Sequence, residues 1–417
     1  MGQVETSRVT PASSDGRAPS WLRALGAVAA LAALAALVGI LFPSLRLVDL
    51  EVYSQAGDAV LHGNPLYDAR TPDLGLVFTY PPFAALLFVP LGSLATGSAA
   101  LAWSVLSLAS LARAMFLCLR SAGWLVPSGS RGPRVIVLVT GATVLALALE
   151  PAQVTLAWGQ INLILMWLVL EDYLGDVPPK RRGILTGLAT AVKLTPVVFI
   201  VFAVVIGRRR DALRSILVVG AALLVGFAVP GVGAWDYWTR GLVSSERIGY
   251  QDSSGNQSVT GAIVRILDIG NAPTWSWLFS GLLVAAGLVV GRRLWAVGRD
   301  LEALSVVALG MLMASPISWT HHWVWFAPVL IALSARARIQ RSAALLAVLV
   351  ATVAISWVMR WGGGHHSGLD DLGAPLEYAQ WLATDAYLLV GMVLLGWWAW
   401  SALRGTADRR DDARAAG

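Results

Sequence analysis

The chain has 417 residues, 57% of them hydrophobic and 13% charged, with 19 tryptophans and a formal net charge of +6. A soluble globular domain carries about 25% charged residues, so the composition excludes that class and reads as a polytopic membrane protein. The positive charge comes from 29 arginines and two lysines gathered mostly in short segments between apolar runs, a pattern that reports orientation across a bilayer rather than nucleic-acid binding.

Residues 1–20 are polar, with Arg8 and Arg17 and no apolar periodicity, and read as a disordered cytoplasmic tail. The apolar run Trp21 to Phe42 would extend about 33 Å as a helix, enough to cross the hydrocarbon core, and reads as a retained span rather than a cleaved signal. A polar segment hangs off its end. There Asp49 is placed to cap a helix that stops at Gly63-Asn64-Pro65, because its side chain accepts orphan amide hydrogens and the Gly-Asn-Pro run cannot continue the helix. Leu50, Tyr53, Val60 and Leu61 fall on one side, and Glu51, Gln55, Asp58 and His62 on the other. Such a helix lies in the interface plane with its polar face away from lipid. Tyr80-Pro81-Pro82 then stiffens the backbone before the next apolar run.

Apolar runs follow at about 80–96, 99–119, 134–150, 160–175, 184–207, 212–229, 275–292, 301–335, 342–359 and 384–403. Basic clusters at Lys180-Arg181-Arg182, Arg208-Arg209-Arg210, Arg292-Arg293, Arg336 to Arg341 and Arg404 onward mark cytoplasmic loops. The chain must leave and re-enter the cytoplasm between Arg182 and Arg208, so 184–207 is a tight hairpin with its tip near Lys193-Leu194-Thr195-Pro196. The run 301–335 repeats the device, with its tip at Ser315 to His322. By the same count the Asp58 segment, 236–274 and 360–383 lie outside, on the same face as both tips. Four runs between 80 and 175 give the wrong parity for a cytoplasmic Lys180, so one must be re-entrant or broken; 80–96, with three prolines, is the weakest span. The fold expected is all-α and polytopic, with about 12 crossings, a membrane domain over 21–403 and a cytoplasmic tail over 404–417.

Asp58 is the candidate general base. On local pattern alone it is a solvated helix face; what raises it is the prospect that other outer elements roof that face over. Lys193 is the second anomaly, since a lysine flanked by apolar residues costs roughly 2.5 to 3.5 kcal/mol on insertion scales unless it snorkels or meets an anion. It reads either as a snorkelling residue or as the counter-ion of a lipid phosphate, helped by amides freed at Pro196. His321 and His322 sit at the other tip. Adjacent residues of a helix do not face one another, so the pair is no metal signal, and no carboxylate cluster suited to a divalent metal is apparent. Glu150-Pro151-Ala152-Gln153 and Gly159-Gln160-Ile161-Asn162 interrupt an apolar stretch and read as interhelical hydrogen bonding. Asn256-Gln257-Ser258 matches a short glycosylation pattern, His365-His366 lies in a glycine-rich loop without an assigned role, and lone Cys118 reads as a small buried apolar residue.

The acid in an interfacial helix after the first span, then Tyr80-Pro81-Pro82, Gly159-Gln160-Ile161-Asn162, Ala191-Val192-Lys193-Leu194-Thr195-Pro196 and Asn256-Gln257-Ser258 in order, resembles the GT-C glycosyltransferases that use polyprenyl-phosphate sugars, in particular the actinobacterial α-1,2-mannosyltransferases. The resemblance implies an inverting, metal-independent enzyme without a cofactor. It would take mannose from polyprenyl-phosphate-mannose to a phosphatidylinositol mannoside on the periplasmic side of the plasma membrane. It also implies Asp58 as base and His322 as a catalytic histidine. Lys193, His321 and Arg265 would then hold the donor phosphate, with Tyr80, Gln160, Asn162, Asn256 and Gln257 lining the substrate cavity. A lipomannan or lipoarabinomannan α-1,2-mannosyltransferase, an arabinofuranosyltransferase of the same class, and a secondary transporter built on broken helices are the competing readings.

Overall fold

A computed structural model describes residues 47–72, 74–125, 132–229, 233–241, 250–269, 271–342 and 384–415. The expected N-terminal tail, the first span at 21–42, the later part of the 342–359 run and His365-His366 lie outside the described residues.

The described chain is all-helical, with no strand and only two isolated antiparallel bridges, Arg70 with Val77 and Asn256 with Trp319. The helices are α1 Val48–His62, α2 Pro82–Gly92, α3 Thr96–Ser121, α4 Gly132–Leu147, α5 Glu150–Trp158, α6 Asn162–Leu174, α7 Ile184–Val192 and α8 Val197–Val205. They continue with α9 Arg209–Ala228, α10 Ala234–Thr239, α11 Val259–Leu267, α12 Ser276–Trp295, α13 Asp300–Ala314, a 3₁₀ turn Thr320–Trp325, α14 Phe326–Gln340 and α15 Ala386–Ala415. Among the described residues four are long and apolar enough to cross a bilayer: α3, α9, α12 and the Ala386–Arg404 part of α15. The pair α4 and α5 is a fifth if its 81° bend is taken as one broken span. The protein is a multi-pass membrane protein.

The parity conflict between 80 and 175 has its physical basis here. Helix α2 has only 11 residues, about 16 Å of helix, shorter than the hydrocarbon core, and lies against α1. A Cβ on Gly57 would stand 2.2 Å from the Phe88 carbonyl oxygen, and one on Gly92 would stand 2.4 Å from the Asp58 amide nitrogen. The two backbones touch. A second break falls at Leu149-Glu150-Pro151, where Leu149 is extended and proline opens α5.

Both hairpins form as the basic clusters require. In the first, Asp172 of α6 accepts from the Gly183 and Thr186 amides at 2.8 and 2.9 Å and from the Thr186 hydroxyl at 2.8 Å, fixing the start of α7. Thr195-Pro196 breaks the path to α8, because the residue before proline is driven out of the helical region. The second hairpin is anchored at its base by Glu302, which accepts from Arg299 (2.8 Å), Arg336 (2.7 Å) and the Trp398 indole (2.7 Å). Every residue of α13 from Leu301 to Ala314 is buried, as expected for a helix apolar on all sides at the centre of a bundle.

Candidate active site

The start of α1 carries the site. Leu47, in the left-handed region at φ 45°, takes the cap position and donates its amide to the Ala157 carbonyl at 2.9 Å. Asp49 is therefore in the first helical turn and does not cap it, contrary to the sequence expectation. The helix ends at Gly63, as the Gly-Asn-Pro run requires. Gly159, at φ 70° and with room for no Cβ beside Leu50 (2.7 Å), brings the end of α5 against α1.

That approach brings Gln160 beside the Asp49 carboxylate, where its side-chain amide favours the charged form. The Gln160 Oε1 lies 3.2 Å from both the Tyr53 and Tyr80 hydroxyls, which are 3.0 Å apart. The amide oxygen thus receives hydroxyl protons and the amide nitrogen is left to face Asp49. Burial raises the Asp49 carboxyl to about 6, against the opposing pull of the Gln160 amide and the Lys193 charge.

Lys193 arrives from the first hairpin tip in extended conformation (φ −145°, ψ 130°). Its ammonium donates to Asn162 Oδ1 at 3.0 Å and to His322 Nε2 at 3.1 Å, and stands 5.5 Å from the Tyr80 ring centroid. An ammonium only donates, so His322 Nε2 is the unprotonated nitrogen and the imidazole proton sits on Nδ1. The two hairpin tips expected to share one face meet at this contact. Asn162 ties them further, since its Nδ2 donates to the His321 carbonyl at 3.1 Å. A narrow groove is lined by Lys193, Asn162 and His322 and continues between apolar side chains that include Leu165, Val169, Phe199 and Trp325.

Other expected site residues lie elsewhere. The Asp58 side chain is 51% exposed and pairs with His62 Nδ1 at 3.1 Å. Nine residues at 100° each turn it half a revolution from Asp49, so it looks away from the groove and cannot share a cavity with Lys193. Arg265 pairs with Asp385 and donates to the Ser253 and Asn256 carbonyls at 2.6 and 3.0 Å, which commits its guanidinium to bracing the outer loop rather than to a phosphate. Asn256 and Gln257 are fully buried in the same brace. Asn256 bonds the Pro316 carbonyl and the Ser318 amide, and Gln257 accepts from the Tyr387 amide at 3.0 Å. They hold the second hairpin tip in place instead of lining a cavity, and a buried Asn256 is closed to glycosylation. His321 packs edgewise on His322 and against Trp158, and its Nε2 has no hydrogen-bond partner among the described residues. Asp49 is the residue that sequence reasoning passed over.

A family model described as glycosyltransferase family 87 matches residues 78–316. The chain belongs to that family. It is 35% identical over 326 residues to the polyprenol-phosphate-mannose-dependent alpha-(1-2)-phosphatidylinositol mannoside mannosyltransferase of Mycobacterium tuberculosis, covering 75% of each chain. It is 34% identical over 352 residues to the protein of that name from Mycolicibacterium smegmatis, covering 76% of this chain and 78% of the other. A third relative is the Mycobacterium tuberculosis polyprenol-phosphate-mannose-dependent alpha-(1-2)-phosphatidylinositol pentamannoside mannosyltransferase. It is 34% identical over 364 residues, with 84% of this chain and 81% of the other covered. The matched region spans the motifs from Tyr80 to Asn256.

Proposed function

We propose that this protein transfers mannose from a polyprenyl-phosphate-mannose donor to a phosphatidylinositol mannoside, forming an α-1,2 linkage with inversion. On this reading the reaction occurs on the periplasmic side of the plasma membrane, in a single membrane domain over 21–403 with about 12 crossings and a cytoplasmic tail at either end. The observation that carries the proposal is the Lys193 ammonium, held by Asn162 and His322 at one end of an apolar groove, with the Asp49 carboxyl near enough to feel its charge.

Asp49 takes the proton from the acceptor hydroxyl as that oxygen attacks the anomeric carbon. The bond from that carbon to the phosphate oxygen breaks on the opposite face, and its electron pair leaves with polyprenyl phosphate. One displacement converts a β-linked donor into an α-linked product. Lys193 has three ammonium protons, two of them engaged by Asn162 and His322, and the third is directed to the departing phosphate. The apolar walls of the groove accept the polyprenyl chain.

The test is the purified protein in nanodiscs with synthetic polyprenyl-phosphate-mannose and a phosphatidylinositol mannoside. Release of polyprenyl phosphate matched by one added α-1,2-mannose is expected. No turnover with this pair, together with transfer from an arabinofuranosyl donor or to lipomannan, would overturn the assignment. Carriage of a solute without bond cleavage would replace it with the transporter reading.

A further inference from the structure

Glu150 is a buried carboxylate that the proposed chemistry does not use. It is the first residue of α5, immediately after the 81° bend in the broken span. Its Oε1 accepts from the Thr320 hydroxyl at 3.0 Å, and its Oε2 accepts from the Tyr387 hydroxyl at 2.6 Å. Thr320 opens the 3₁₀ turn that carries His321 and His322, and Tyr387 belongs to α15. One side chain thus ties the break in α4–α5 to the histidine turn and to the last helix.

The same turn is held from below by two more bonds to the His321 carbonyl, from Thr155 Oγ1 at 3.0 Å and from Asn162 Nδ2 at 3.1 Å. Thr155 sits on α5, one and a half turns beyond Glu150, so α5 grips the turn at two points. A 3₁₀ segment has poor hydrogen-bond geometry of its own and relies on such outside support. Trp323 within it departs from helical angles (ψ 23°).

We propose that Glu150 is a positioning residue for the donor-phosphate cradle. By fixing Thr320 it sets the height of the histidine turn, and so the 3.1 Å contact between His322 Nε2 and Lys193 Nζ. The inference rests on the reading of Lys193 and His322 as that cradle. Misplacing a binding group by about 1 Å costs roughly a hundredfold in rate; the turn keeps the Thr155 and Asn162 bonds and the Thr320 amide bond to the Gly255 carbonyl when the Glu150 bond is released, so the expected displacement is smaller.

The experiment measures donor and acceptor KM and kcat for Glu150→Ala, Glu150→Gln and Thr320→Val, alone and with His322→Ala. Detergent melting temperatures are recorded alongside. Glu150→Ala should lower kcat/KM for the donor about 10- to 100-fold and leave acceptor KM unchanged. Thr320→Val, which removes only the hydroxyl at nearly the same volume, should reproduce much of that loss. Glu150→Gln should stay within about threefold of wild type, because its amide can bond both hydroxyls once they rotate. With His322→Ala already present, Glu150→Ala should add little, since groups acting through one another are non-additive. An equal fall for acceptor and donor, a glutamine variant as impaired as the alanine one, or a fully multiplicative double mutant would each overturn the proposal. If His322→Ala and Lys193→Ala alone leave donor kinetics unchanged, the cradle reading itself fails, an outcome separate from these.

Discussion

Asp49→Asn is the substitution that bears most directly on the chemistry. Asparagine keeps the shape of the side chain and can still sit beside Gln160, so the first turn of α1 should fold unchanged. What disappears is proton acceptance, which in general-base catalysis contributes about 10²- to 10⁴-fold, or about 3 to 5 kcal/mol of barrier. The wild-type enzyme carries a second signature. Burial holds the Asp49 carboxyl at about 6, and only its deprotonated form is a base, so donor kcat/KM should rise with pH and level off above about 6. Below that point it should fall about tenfold per unit. In Asp49→Asn the residual rate should be small and lack this acid limb. The control is Asp58→Asn, which breaks an exposed ion pair worth little and should change turnover less than about threefold. Radiolabelled mannose transfer in nanodiscs between pH 4.5 and 8 measures all of this. Wild-type turnover in Asp49→Asn, or loss of turnover in Asp58→Asn alone, would refute the assignment of the base.

Lys193→Ala should raise the apparent donor KM by tenfold or more while acceptor KM stays within error, as steady-state kinetics with each substrate varied would reveal. Arg265→Ala should behave in the opposite way. It strands the nearly buried Asp385, a change that costs about 3 to 5 kcal/mol in buried pairs, and it should lower the melting temperature with donor KM unaltered. Gly57→Ala should destabilise by at least about 1 to 3 kcal/mol, since its Cβ would stand 2.2 Å from the Phe88 carbonyl; a melting curve indistinguishable from wild type would mean that α1 and α2 are not in contact.

The hairpin tips were legible in the sequence because two signals coincide there: basic clusters fix both ends of each run, and Thr195-Pro196 and Ser315-Pro316 interrupt the middle. The meeting of Lys193 with His322 follows from topology once both tips face one way. That Asp49 and not Asp58 lies near Lys193 has a physical reason. Asp58 stands on the polar face of α1, and its expected role depended on outer elements roofing that face over, whereas its side chain is 51% exposed. Asp49 falls on the stripe that buries Val52, Tyr53 and Ala56, where a carboxylate is costly without a partner. Helical phase alone thus marks Asp49 as the anomaly, but its partner Gln160 lies more than a hundred residues away and no local pattern announces it. Asn256 and Gln257 show the converse limit. Their order in the chain matched a family motif, whereas their work, bracing Ser318 and Tyr387, depends on elements distant in sequence.

The second hairpin is clamped at its base by Glu302 and at its tip by the outer loop, with α13 enclosed on every side. The first is not enclosed: Val197, Val201 and Val204 of α8 form an uncovered row, while Phe199 on its other side walls the groove. Among the described helices that wall the groove, α8 is the one whose far side is uncovered, so on the proposed reading a long lipid reaching Lys193 from the bilayer would pass it. Side chains that thicken that valine row would slow exchange of the carrier lipid without touching a single reacting atom.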